Sequence, residues 1–173
     1  MNVNVKQILV LALTVALTGC GYSNKVVLPN NARSIAVPIL RNDIAPGDMK
    51  TYVGNLEIKV TQKLIDEFIF DGDFKVLSEK KADLVLDGSI IAYEQEPYAF
   101  NEFERVEEYR LFIAVKLILR DRRTGGIVWE EGNFTGDVNY FISGARAISD
   151  DQAADLAIAD LAEKIINRLV EDW

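Results

Sequence analysis

Cys20 is the residue with the most specific chemical reading. It closes the run Leu17-Thr18-Gly19-Cys20, behind a leader in which Lys6 and the free amine precede the apolar stretch Ile8 to Leu17. That stretch is too short to span a bilayer, which takes about 20 apolar residues, and its order of charge, apolar core and small residues is that of a cleaved signal peptide. Leucine three positions before the cysteine, with small residues between, suits lipoprotein processing. Residues 1–19 are therefore expected to be removed, leaving Cys20 as the new N-terminus with diacylglycerol on its thiol and a further acyl chain on its amine. Two or three chains give stable anchoring where one does not. Cys20 is also the only cysteine among 173 residues, so no intramolecular disulfide can form and a lipid attachment point is the economical reading of the lone thiol. Gly21, in place of an aspartate, leaves the outer membrane as the expected destination.

The rest of the chemistry is narrower. There is no histidine, which removes the commonest general base, the serine–histidine and cysteine–histidine nucleophile systems and the usual zinc ligand. Carboxylates occur in pairs: Glu94 with Glu96, Glu102 with Glu104, Glu107 with Glu108, Glu130 with Glu131, and Asp150 with Asp151. A glycosidase needs two such groups across a cleft, one with a raised pKa. Pairs in loops and at a helix start read instead as solvation and capping, so no catalytic residue, metal ligand or cofactor is expected. A formal charge of −8 argues against nucleic acid as a partner. Against that charge the cations Arg120, Arg122 and Arg123 cluster at one hairpin tip, on or beside the strand that carries Arg110 and Lys116. Guanidinium forks suit phosphate and carboxylate groups, which makes these five the candidate ligand-binding residues. The competing reading is a solvated tip paired with Asp121. In the segment Glu94 to Glu104, Tyr98, Phe100 and Phe103 are either packed beneath a loop or held for a partner.

The elements that would position these residues follow from periodicity. After a tether over 20–33, Ser34 to Ile39 reads as a strand, with Pro38 marking an edge or an end. Arg41 to Lys50 is a loop by composition. From Thr51 the apolar spacing turns helical through Val53, Leu56, Val60, Leu64 and Phe68, and stops at Asp71-Gly72. Phe74 to Leu77 is a short strand. Leu84 to Tyr93, Glu107 to Arg120 and Ile127 to Tyr140 are longer ones, with a hairpin turn at Asp121 to Gly126 and a bulge near Glu130–Gly132. Ser149-Asp-Asp-Gln152 is a capping box opening a last helix whose apolar stripe is Ala154, Ala157, Ile158, Leu161, Ile165 and Leu169. Two amphipathic helices can cover one face of a sheet. The expected fold is α+β: a two-layer sandwich, with the helices on one face of a mostly antiparallel sheet and a single domain over 34–173.

In order along the chain stand Cys20-Gly21-Tyr22, Leu28-Pro29, Ile35 to Ile39, Ala82-Asp-Leu-Val-Leu-Asp-Gly88, Glu108-Tyr-Arg-Leu111, Asp121 with Thr124-Gly125, Trp129, and Ser149 opening the final helix. With these residues the chain resembles the LptE-like lipopolysaccharide-assembly lipoproteins over essentially all of the mature sequence. The resemblance implies an outer-membrane lipoprotein of a Gram-negative envelope, lipid-anchored through Cys20. It further implies a partner, a large LptD-type β-barrel whose lumen the protein partly plugs, and help in delivering lipopolysaccharide to the cell surface without enzymatic activity or cofactor. An acidic protein that handles an acidic glycolipid needs a local basic patch, and the Arg120 to Arg123 tip is the candidate. The alternatives are an adaptor lipoprotein of another envelope assembly or secretion machine, and a carboxylate hydrolase.

Overall fold

The computed structural model describes residues 32–45 and 54–170; the leader, Cys20, most of the tether, and residues 46–53 and 171–173 lie outside the described residues. The elements run β1 (Ser34–Ala36), β2 (Arg41–Asn42), α1 (Leu56–Asp71), β3 (Lys75–Val76), β4 (Leu84–Phe100), β5 (Val106–Asp121), β6 (Ile127–Phe141) and α2 (Asp150–Val170). All six strands belong to one open sheet of order β3-β1-β4-β5-β6, with β2 pairing β4 further along the same side as β1. The long strands β4, β5 and β6 form an antiparallel meander. The short pairings of β1 with β3 and β4, and of β2 with β4, are parallel. Parallel neighbours need a crossover, and α1 is the crossover between β1 and β3.

Alternation along the strands decides which face is covered. Leu84, Leu86, Ile90 and Tyr93 of β4 are buried opposite Leu111, Ile113, Val115, Leu117 and Leu119 of β5, and Trp129 and Tyr140 of β6 complete the layer. Both helices lie on this inner face. Leu56, Val60, Leu64 and Phe68 are the buried stripe of α1. Gly72 then adopts φ 83° and donates its N–H to the Phe68 carbonyl at 3.2 Å, which stops the helix where the glycine signal puts it. The Phe68 ring meets Phe74 edge-on, with centroids 6.0 Å apart. The Ser149–Gln152 capping box is reciprocal. Gln152 N–H donates to Ser149 Oγ at 3.2 Å, and Ser149 N–H donates to Gln152 Oε1 at 3.0 Å. The alanine-rich stripe of α2 is buried, as its spacing predicts.

Three local expectations change. β4 continues to Phe100, so most of the segment read as a loop after Tyr93 is strand, held by pairs such as Glu94↔Phe112 and Glu96↔Arg110. Pro97 is tolerated there because β1 and β2 do not reach that far, so its missing N–H falls on a free side of β4. Arg41–Asn42, read as loop, pairs with β4 instead. Leu40 N–H, just before it, donates to the buried Thr61 hydroxyl at 3.0 Å. β1 ends at Ala36, two residues before Pro38, and is an interior strand. The β6 bulge falls at Gly132–Asn133, between the pairs Val115↔Phe134 and Leu117↔Glu131. It restores the phase that puts Trp129 and Tyr140 on one face.

α2 approaches β6 so closely that only glycine fits beneath it. A Cβ added at Gly136 would stand 2.5 Å from the Leu161 Cα, and that backbone cannot yield as a flexible side chain can. Gly136→Ala should therefore lower unfolding stability by roughly 2–3 kcal/mol, measured by urea denaturation at neutral pH. A loss indistinguishable from zero would mean that α2 is free to lift.

Candidate functional site

With both helices on the inner face, the outer face of the sheet is open to contact. Along β5 it carries Glu108, Arg110, Phe112, Ala114, Lys116, Ile118 and Arg120, the even positions of the strand. Three of the five candidate cations stand here, each paired with a carboxylate on a neighbouring strand. Arg110 meets Asp137 at 3.3 Å, Lys116 meets Glu130 at 3.3 Å, and Arg120 meets Asp87 at 3.6 Å. Asp137 is shared with Lys164 of α2, at 3.3 Å, and its own N–H donates to Asp160 at 2.8 Å. At about 3.3 Å per residue, Arg110 lies some 20 Å from Lys116, so the three form a row rather than one pocket.

Arg122 and Arg123 sit beyond the end of that row. Arg122 folds back, its Nε donating to the Ala82 carbonyl. The Arg123 N–H donates to Asp121 Oδ1 at 2.7 Å. Asp121 is buried and satisfies the turn through the backbone amides of Arg123 and Thr124, not by pairing with the arginine side chains. Next to them Asp83 accepts from Ser34 Oγ at 2.7 Å and from the Arg33 N–H at 3.3 Å. Those bonds, led by Ser34 and aided by the Arg123 charge, hold the Asp83 carboxyl below its usual range against a small opposing effect of burial.

One feature of the face has no signal in the sequence. Because β2 pairs in parallel with β4 at Arg41↔Ser89, Arg41 and Asp43 join Asp87, Ser89 and Lys116 around a cleft of ≈ 200 Å³. Two residues inside a stretch rich in proline and glycine carry no strand period.

At the other end of the sheet the β4–β5 hairpin leaves Tyr98, Phe100 and Phe103 more than half exposed. They are held outward rather than packed beneath a loop. The base of this arm is fixed by Tyr140, whose hydroxyl donates to Asp150 Oδ1 at 2.6 Å and accepts from Gln95 Nε2, tying β6, α2 and β4 together. Burial, and then the bond to Asp150, push the Tyr140 phenol well above its ordinary pKa. Burial and the charges of Asp150 and Asp151 push Tyr93 up to about 12. Among the described residues no group of His, Cys, Asp and Glu could hold a metal ion, and no helix is long and apolar enough to cross a membrane.

A sheet whose inner face is covered by both helices and whose outer face carries ion pairs makes this a two-layer α+β domain. The chain belongs to the LptE family of lipopolysaccharide-assembly proteins, whose family model matches residues 32–172. Among solved structures, protein XCC0632 from Xanthomonas campestris is similar, at 14% identity and a TM-score of 0.55, covering 87% of this chain and 86% of that one. Uncharacterized lipoprotein B from Nitrosomonas europaea matches at 16% identity and a TM-score of 0.52, covering 86% of this chain and 88% of its own. The PelC dodecamer from Paraburkholderia phytofirmans matches at 15% identity and a TM-score of 0.52, with 84% and 93% covered. At these identities the likeness is one of fold. No curated protein matches the chain in sequence.

The tyrosine network makes a pH prediction with a definite sign. Phenols raised above their unfolded value near 10 stabilise the fold fully below that pH, and lose the contribution as pH rises through the folded values. Tyr140→Phe should cost about 1 kcal/mol at neutral pH and flatten the fall of stability above pH ~10. An alkaline limb identical to that of the parent protein, in urea melts across that range, would remove Tyr140 from the network.

Proposed function

We propose that this protein is the outer-membrane lipoprotein subunit of a lipopolysaccharide translocon, anchored through acylated Cys20 and seated partly inside the lumen of an LptD-type β-barrel. The family membership over residues 32–172 carries the reading. The open sheet face supports it. Lumen walls of outer-membrane barrels are polar, and the three cations of this face, each paired with a carboxylate, can lie against such a wall without being stranded. In this role the protein helps the barrel deliver lipopolysaccharide to the cell surface, and performs no catalysis.

The cations of the face and tip are the proposed contacts for lipopolysaccharide phosphates: Arg110, Lys116 and Arg120 along β5, with Arg122 and Arg123 continuing at the hairpin. Binding there would displace the carboxylate partners Asp137, Glu130 and Asp87, with the more highly charged phosphate taking their place on the cations. That exchange answers how a protein of net charge −8 could hold an anionic glycolipid.

Capture of the tagged lipoprotein from detergent-solubilised outer membranes should bring down one large barrel protein at equal stoichiometry. A different envelope protein in its place would move the chain to an adaptor role in another assembly machine. For the ligand, Lys116→Ala combined with Arg120→Ala should weaken binding of purified lipopolysaccharide by about tenfold or more, since charge-assisted bonds to phosphate are lost. Unchanged affinity in a folded double variant would take the site off this face.

A further inference from the structure

Many cations of the described chain are held in ion pairs. Those on the open face are paired as above, and on α1 Lys59 meets Asp155 at 3.4 Å and Lys63 meets Glu67 at 3.3 Å. The six at the end of the sheet where β4 begins and β5 finishes are different. Arg33, Lys75, Lys80, Lys81, Arg122 and Arg123 are all exposed, and none is in an ion pair among the described residues. Backbone hydrogen bonds gather them around Asp83. The Lys75 N–H donates to Arg33 O at 2.9 Å, the Arg122 N–H to Asp83 O at 2.9 Å, and the Lys81 N–H to Ser78 O at 2.8 Å.

The exposed carboxylates nearby in the chain are Asp71, Asp73 and Glu79, while Asp83 and Asp121 are turned to hydrogen bonds within the fold. Six cations thus face five carboxylates, of which Asp83 and Asp121 point into the fold, so the outward-facing charge of this end is positive on a protein of net charge −8. The opposite end is its reverse: Glu94 to Glu108 holds six glutamates and one arginine. The length of β4 separates the two ends by roughly 55 Å, several Debye lengths at physiological salt.

The chain enters the fold at the positive end. Twelve residues lie between Cys20 and Arg33, and even fully extended they span no more than about 47 Å. We infer that Arg33, Lys75, Lys80 and Lys81 of this end dock on the anionic glycerophospholipid headgroups of the leaflet that holds the Cys20 acyl chains, while Arg122 and Arg123 beside them keep the lipopolysaccharide contact proposed above. The inference rests on the lipidation proposed above. Each lysine or arginine within a Debye length of an anionic leaflet is attracted to it, while the glutamate-rich arm is repelled.

The test uses the mature chain, residues 20–173, with Cys20→Ser so that no acyl chain contributes. Co-sedimentation compares phosphatidylcholine vesicles with vesicles carrying roughly 30 mol% phosphatidylglycerol, at about 50 and 300 mM salt. Binding should require the anionic lipid and be lost at the higher salt. Lys80→Glu with Lys81→Glu should reduce it on the order of 30-fold with unchanged circular dichroism. Lys59→Glu with Lys63→Glu, the same change of net charge placed on α1, should leave binding within about twofold of the parent.

Equal binding to neutral and anionic vesicles, an unaffected Lys80/Lys81 variant, or the same loss from the α1 pair would each overturn the proposal. Binding to lipopolysaccharide micelles but not to the phosphatidylglycerol vesicles would also overturn it, and would assign these cations to the glycolipid. Barrel capture plays no part in this readout, so either reading can fail while the other stands.

Discussion

The antiparallel ladder between β4 and β5 is the constraint from which the other elements take their places. It runs from Leu84↔Asp121 to Phe100↔Val106, and its inner residues are almost all apolar over the half nearest the helices. A two-stranded ribbon is at best marginally stable in water. The exposed apolar face has to be covered, and α2 covers it on the β6 side while α1 covers it on the β1 side. The close contact of Leu161 with Gly136 sets how near α2 lies, and with it the positions of Asp150 and Asp160. β1, β2 and β3 contribute little length of their own. Their parallel pairings depend on a β4 already held in place by β5.

The same alternation that makes one face apolar puts the charges on the other. Exposed ion pairs contribute about 0–1 kcal/mol each, so the pairs of Arg110, Lys116 and Arg120 are a weak account of stability. Their effect is on what the face can meet. The three cations of that face are each matched by a carboxylate, while Glu94, Glu96 and Glu108 on the same face add negative charge towards the arm. The net field of the molecule is at the two strand ends, where turn and hairpin residues have no opposite neighbour across a ladder.

Much of this is legible in the sequence, for reasons that differ by element. The unbroken period of two from Tyr109 to Leu119, the Ser149–Gln152 box and the Gly72 stop each follow from local geometry that a chain segment carries by itself. The pairing of Arg41 with Ser89 does not, because two residues bring no period and their partner is far along the chain. The extent of β4 was hidden for another reason. Glu94 to Phe100 is polar, aromatic and interrupted by Pro97, as a loop would be, and it is strand only because β5 is there to pair with it. The candidate cations divide likewise. Their positions on one face of β5 follow from the period of two, but which of them have carboxylate partners depends on β4 and β6, whose registers are set by bulges at Ile90–Ala92 and Gly132–Asn133.

The lengths of the elements explain why the arm is bare. A strand of 17 residues extends about 55 Å at 3.3 Å per residue, whereas a helix of 21 residues extends only about 32 Å at 1.5 Å per residue. Helices of this size cannot cover a ribbon of this size from end to end. The helix layer stops at Asp150, where Tyr140 and Gln95 close it with hydrogen bonds, and the ribbon continues. Burial therefore cannot be what retains Tyr98, Phe100 and Phe103 at its tip, since nothing in the described fold reaches them. The surrounding glutamates keep such a tip soluble and make insertion into an anionic leaflet costly. The ribbon is too long for its own helices, and its tip, apolar and ringed by glutamates, is left uncovered by the described residues.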